Sequence, residues 1–176
     1  KYSISLPKTA KIISTIIYHH ILKLNLLNDK ITITDATAGI GGNTISFAKT
    51  FNKVNSIEIN KERFLYLENN IKVYELDNVI TINDNYIKIM NNLKQDVVFI
   101  DPPWGGRNYK KKKKLKIELS NICLSELCNS IKNNAKLIVL KVPLNYDLNS
   151  LIESINANIY KYRIKNIFYN INIFFN

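Results

Sequence analysis

At 176 residues the chain is long enough for one domain with its own core, and 46% hydrophobic with 10% aromatic residues excludes a disordered or fibrous protein. Twenty-five basic against 14 acidic residues leave a formal charge of +11, which suits a polyanionic partner such as RNA or DNA, although Lys, Asn and Ile are also the residues that an AT-rich genome scatters over a solvated surface. No stretch has the length and apolarity of a membrane span, since Ile12 to Leu27 is interrupted by His19, His20, Lys23 and Asn25, and no signal peptide is visible.

Elements alternate from the N-terminus. A helical segment over Pro7 to Leu27 precedes a short strand, Ile31 to Asp35, which ends in an acid and runs into a Gly-rich turn and a helix from about Asn43 to Thr50. A second strand, Val54 to Glu58, also ends in an acid and leads to a helix over about Lys61 to Glu75. Val79 to Asn83 is the third strand, followed by a short helix from Tyr86 to Leu93. Asp96 to Ile100 is β-branched and nearly all apolar, as a central parallel strand should be. Beyond a lysine-rich loop, the spacing predicts a helix over about Ile117 to Lys132, a strand over Lys136 to Val142 and a helix over Leu148 to Ile155. Two alternating runs, about Asn158 to Lys165 and Tyr169 to Phe175, form an antiparallel hairpin. Residues 1–28 are thus expected as an N-terminal helical segment capping the site. Residues 29–176 form an α/β Rossmann-like domain, a mostly parallel seven-stranded sheet with a C-terminal antiparallel hairpin and helices on both faces.

In such a sheet ligands bind at the carboxyl ends of the strands, and the candidate residues fall there: Asp35, Glu58, Asp84 and Asp101. The first turn, Asp35-Ala-Thr-Ala-Gly39-Ile-Gly41-Gly42-Asn43-Thr44, brings glycines and a helix start close to a ligand. It is neither a G-x-G-x-x-G dinucleotide turn nor a phosphate loop. An acid ahead of the glycines repels pyrophosphate and pairs with an ammonium. Glu58 can accept both hydroxyls of a ribose. Asp84, with Asn85 beside it, can accept from an adenine amino group. In Asp101-Pro102-Pro103-Trp104-Gly105-Gly106 the prolines fix φ and leave carbonyls outward as acceptors for an exocyclic amine, and Trp104 offers a face on which a base stacks.

Together, G-x-G-G-N-T, the acid on the second strand and P-P-W-G-G-x-x-Y resemble the trimethylguanosine synthase family of cap hypermethylases, class I S-adenosylmethionine-dependent methyltransferases, over about Pro7 to Leu151. The resemblance implies methyl transfer to the exocyclic N2 amine of a 7-methylguanosine cap, with capped RNA as partner, no metal, a monomer, and a nuclear or cytoplasmic site of action. It implies that Asp35, Gly39, Gly41, Asn43, Glu58, Asp84 and Asn85 surround S-adenosylmethionine. By the same resemblance Trp104 stacks on the methylated base, Asn43 and Pro102 sit by the reacting amine, and Tyr109 contacts the cap phosphates; Asp101, from its own chemistry, is expected to accept from the base's ring N–H and amine together. Arg107 and the lysines from Lys110 to Lys114 follow at once and would neutralise the cap triphosphate or the RNA beyond it.

Two departures keep alternatives open. The family has serine at Asp101, and D-P-P-W also resembles adenine amino-methyltransferases of DNA or RNA. The family's arginine after the fifth-strand proline is Leu144 here, which leaves a cofactor-binding but inactive RNA-binding subunit as the third reading. The start at Lys1 rather than Met suggests a piece of a longer chain, without the N-terminal extension that serves both pockets in the family. Cys123 and Cys128 lack companions for zinc and are expected as small buried or half-buried helix residues. His19 and His20 are expected as surface or packing residues of the first helix.

Overall fold

A computed structural model describes residues 4–26, 30–155, 157–163 and 169–175. In chain order these form α1 (Pro7–Lys23), β1 (Thr32–Asp35), α2 (Gly42–Ala48), β2 (Lys53–Ile57), α3 (Lys61–Val73), β3 (Val79–Ile82), α4 (Tyr86–Ile89), β4 (Val97–Ile100), β5 (Glu118–Leu119), β6 (Ile122–Cys123), α5 (Leu124–Ile131), β7 (Leu137–Pro143), α6 (Leu148–Ser154), β8 (Asn158–Arg163) and β9 (Tyr169–Phe175).

Among the described residues one sheet runs in the order β3-β2-β1-β4-β7-β9-β8. The first five of these strands are parallel, and β9 and β8 extend them antiparallel. The chain fills the sheet outward from β1 to β3, then returns to lay β4 on the other side of β1. The crevice at the carboxyl ends of β1 and β4 is therefore the switch point at which open α/β sheets bind ligands.

Burial on two faces explains the apolar runs. Val97 and Phe99 of β4 join a cluster with Ile13, Ile17 and Ile21 of α1, Phe47 of α2 and Val139 of β7. Val98 and Ile100 point the other way, to Leu124, Leu127 and Ile131 of α5 and Leu151 of α6. The period of two along a strand assigns successive residues to opposite helical layers. On this count α1 is part of the core, its buried face in the same cluster as the central strands. His20 of α1 is buried and its Nε2 lies 2.7 Å from the Tyr162 hydroxyl, whereas His19 is exposed.

One expected element is replaced. In place of a helix from Ile117, Glu118–Leu119 and Ile122–Cys123 pair as a small hairpin, and the helix begins only at Leu124. Its two-residue loop is Ser120-Asn121, with φ of 51° and 66°, the doubly positive pattern of a type I′ turn. The Leu and Ile spacing there matches both periods, and the turn decides for the hairpin. As a consequence Cys123 is exposed at the N-cap of α5 rather than buried in a helix, while Cys128 is buried as expected. The short helix after the third strand is α4 followed by a single 3-10 turn, Met90–Asn92. The expected strand from Asn158 is seen to Arg163, and Lys165 lies outside the described residues.

Candidate active site

Asp35, Asp101 and a lysine not anticipated from the sequence, Lys141, share one side of the sheet. Register explains it: Asp35 lies opposite Phe99, and Ile100 lies opposite Leu140, so Asp101 and Lys141 fall in the next row, on the face of Phe99 and Val139. Lys141 is buried, 2% exposed, and its Nζ donates to Asp101 Oδ2 at 2.5 Å and to Ser5 Oγ at 2.9 Å. Its one signal in the sequence was a charge inside the otherwise apolar Leu-Ile-Val-Leu-Lys-Val-Pro strand.

The first loop ties the strand ends together. Gly39 N–H donates to Glu58 Oε2 at 2.9 Å, and Asp101 N–H donates to Thr37 Oγ1 at 2.9 Å. Glu58 Oε1 is taken by the Asn60 N–H at 2.7 Å and the Arg63 guanidinium at 2.8 Å, which leaves Oε2 as its freer oxygen. Asn83 donates to the Glu58 carbonyl at 2.8 Å and thereby joins the ends of β2 and β3. Gly41 sits at φ 97° in front of α2, and a Cβ there would meet Leu67 Cδ1 at 2.9 Å, so both conformation and space require glycine. At Gly42 a Cβ would come within 2.7 Å of Ile4 Cγ1 and 2.9 Å of the Ser5 carbonyl. The segment ahead of α1 therefore packs directly on the start of α2.

Asp35 is 1% exposed. Thr44 donates to its Oδ2 at 2.8 Å and is itself 2.7 Å from Ser56 Oγ, which fixes the carboxylate. Its Oδ1 is buried with no hydrogen-bond partner, and so is Oδ1 of Asn43. Burial pushes the Asp35 carboxyl up to about 7; the Thr44 hydroxyl works against the rise, and the neighbouring Asp101 carboxylate adds to it. Buried acceptors without donors are costly unless a ligand completes them. Two orphan oxygens in a pocket rimmed by carboxylates fit a cationic ligand with N–H donors, which is what the ammonium end of S-adenosylmethionine provides.

The remaining expected residues are less tightly drawn together. Asp84 is exposed, its Oδ1 accepting from the Asn85 N–H at 2.6 Å. Asn85 caps α4 through its Oδ1, which also accepts from Ser120 of the small hairpin at 3.2 Å. Pro102 is buried and Trp104 half-buried, with the Trp104 ring edge-on to Tyr109 at 5.2 Å between centroids. Tyr109 lies on a 3-10 turn, Gly106–Lys111, and Lys110 to Lys114 are exposed. Asn145, also unanticipated, holds that turn by donating to the carbonyls of Tyr109 at 2.8 Å and Lys112 at 2.7 Å. The Arg107 side chain lies outside the described residues. Among the described residues no group of three or more His, Cys, Asp or Glu could hold a metal ion.

Solved structures share this architecture at low identity. An rRNA methylase from Streptococcus thermophilus superposes with a TM-score of 0.60 at 13% identity, covering 99% of this chain and 98% of that one. A methyltransferase from Streptococcus mutans, solved in complex with SAH, gives 0.57 at 12% identity over 83% of this chain and 89% of its own. The fold is the Rossmann-like fold of class I methyltransferases. Within that class, the RNA cap guanine-N2 methyltransferase model matches residues 30–174, and the chain belongs to that family. It is 41% identical over 133 residues to protein L320 of Acanthamoeba polyphaga mimivirus, covering 73% of this chain and 52% of the relative. It is 29% identical over 127 residues to the trimethylguanosine synthase of Saccharomyces cerevisiae, covering 68% of this chain and 40% of that enzyme. The chain thus spans about half the length, or less, of the curated relatives it matches.

Proposed function

We propose that the chain methylates the exocyclic N2 amine of 7-methylguanosine caps. The observation that carries this reading is the Pro-Pro-Trp turn, set directly after Asp101 and joined to the cofactor loop through Thr37. The family match and the likeness to trimethylguanosine synthases support it.

S-adenosylmethionine would supply a methyl group activated on a sulfonium, which passes to the amine nitrogen as the neutral thioether leaves and the amine gives up a proton to solvent. The chain's own work is then positioning and charge. Asp35 and Asn43 take the ammonium end, Gly39 and Gly41 admit it closely, Glu58 Oε2 accepts from the ribose, and Asp84 with Asn85 borders the adenine. Trp104 stacks on the acceptor base, and Pro102 holds acceptor carbonyls toward its amine. A 7-methylated guanine carries positive charge, so stacking on the indole gains a cation–π contribution of about 1–2 kcal/mol in a desolvated site. Tyr109 and the lysines after it face the cap phosphates.

A second reading, an adenine amino-methyltransferase, follows from Asp101 in place of the family's serine. Labelled S-adenosylmethionine offered with 7-methylguanosine cap, unmethylated guanosine cap and adenine-containing RNA separates the two. Transfer to the 7-methylated cap alone, abolished in Trp104→Ala, is the expected result, and transfer to adenine would replace this reading with the second. If no acceptor is methylated while S-adenosylhomocysteine still binds, the chain is an accessory subunit.

A further inference from the structure

Lys141 stands where lysine is costly. It occupies a strand whose seven residues are all buried, and an ammonium there is tolerated only if paired and hydrogen-bonded. Asp101 Oδ2 and Ser5 Oγ supply those partners, and Nζ also lies 5.8 Å from the Trp104 ring centroid. One lysine thus touches the residue at the head of the Pro-Pro-Trp turn, the indole at its end and the segment ahead of α1. With Oδ2 committed to the lysine and the Asp101 backbone N–H held by Thr37, Oδ1 accepts no hydrogen bond among the described residues.

Burial pushes the Asp101 carboxyl up from its ordinary range, and the Lys141 ammonium on Oδ2 opposes that rise; held as the carboxylate of this ion pair, Asp101 is an acceptor only. The Watson–Crick edge of guanine presents two adjacent donors, N1–H and the N2 amine. Adenine presents its N6 amine beside N1, which is an acceptor. An ionised carboxylate matches the first edge and opposes its own lone pairs to N1 of the second, whereas a protonated carboxyl or a carboxamide would match adenine. Resting on the methyltransferase reading above, we propose that Lys141 is a positioning residue that keeps Asp101 an acceptor-only group, and that the pair makes the base subsite select guanine over adenine. This gives the departure from the family's serine a physical role, because the acid arrives together with a buried base that holds it ionised.

Trp104 is the only tryptophan, so quenching of its fluorescence reports occupancy of this subsite without turnover. Titrations with 7-methylguanosine triphosphate and with ATP would be made in the presence of S-adenosylhomocysteine between pH 6 and 8. The parent chain and Lys141→Arg are expected to bind the guanine nucleotide at least about tenfold more tightly, as loss of a charge-assisted pairing commonly costs that much or more. Their guanine affinity should depend on pH less steeply than that of Lys141→Met. In Lys141→Met the ammonium that opposes burial is gone, so burial, with the Asp35 carboxyl nearby, favours the protonated Asp101. Guanine affinity should then fall as the pH drops, and the preference should shrink about tenfold. If that variant does not fold, Asp101→Asn with Lys141→Met removes both buried charges together and presents a carboxamide, which should move the preference toward adenine. An unchanged preference in the folded variants, or a parent chain that binds neither nucleotide, overturns the proposal. Selective binding without methyl transfer would leave it standing and overturn the activity reading instead.

Discussion

On the proposed reading, Asp35 sets cofactor binding against stability at a single residue. Its carboxyl titrates at about 7 in the folded chain against 3.8 for the unperturbed group, so the folded state holds the proton more tightly than the unfolded one. The stability this group contributes is therefore complete below 3.8 and is lost as the pH rises through 7. Asp35→Asn keeps an acceptor for Thr44 and removes the buried charge. At pH 8 it should melt a few degrees higher than the parent, since about 1 kcal/mol moves the midpoint of a chain this size by about 2–4 °C. At pH 4 most of that gain should vanish, and parallel thermal melts at the two pH values check both signs. The same substitution removes the ionic partner proposed for the cofactor's ammonium, so S-adenosylhomocysteine should bind at least about tenfold more weakly by calorimetry. In the parent chain, cofactor affinity should rise between pH 6 and 8 as Asp35 ionises, and a flat profile would mean that Asp35 does not meet the ammonium.

At the scale of elements, the Asn145 side chain joins the lysine-bearing turn to the loop after β7, beside backbone bonds of Leu115 to Asn145 and Asp147. Asn145 donates to the carbonyls of Tyr109 and Lys112. Asn145→Ala should raise KM for capped RNA several-fold while leaving S-adenosylhomocysteine affinity unchanged, because the cofactor loop lies on β1 and β2. Steady-state kinetics and calorimetry on one preparation test that separation. On the opposite helical layer, Ile17 of α1 is fully buried against the sheet. Ile17→Ala should cost about 2–5 kcal/mol in denaturant unfolding, as for other large-to-small core changes. The parallel strands and the acids at their ends were legible from the sequence because alternation, apolar runs and terminal carboxylates are local signals. Lys141 was not, since its meaning lies in the pairing of β4 with β7, and the same seven letters read alone say only that a strand is buried. The hairpin at Glu118–Cys123 escaped for a related reason: Ser120-Asn121 carries no glycine, and the residues around it repeat at helical spacing as well. Thr44 and Ser56 were likewise invisible until β1, β2 and α2 came together around Asp35.

Over the whole molecule two charged groups stand on either side of the Pro-Pro-Trp turn. Asp35, Glu58 and Asp101 gather at the strand ends, where a cationic methyl donor is favoured, while Lys110 to Lys114 stand exposed on the loop that follows Trp104. A basic rim around an acidic pocket is the arrangement expected for an enzyme that admits a small cation and tracks a polyanion. On the proposed reading, the loop lysines and the wider excess of +11 would make separable contributions to RNA binding. Lysines that neutralise phosphates release counterions, and on single strands the slope of log affinity against log salt changes by about 0.7 for each contact. Lys111, Lys112 and Lys113 are suited to the test, because Lys114 lies 4.0 Å from Asp147 and so has a local partner. Changing these three to glutamine should lower the slope for a capped oligonucleotide by about 2 if each one meets a phosphate. Binding of 7-methylguanosine, the nucleoside without phosphate, read from Trp104 quenching, should be unaltered, because it carries no phosphate to reach the loop. An unchanged slope would return the lysine run to general surface charge, leaving Trp104 and Asp101 to carry recognition without it.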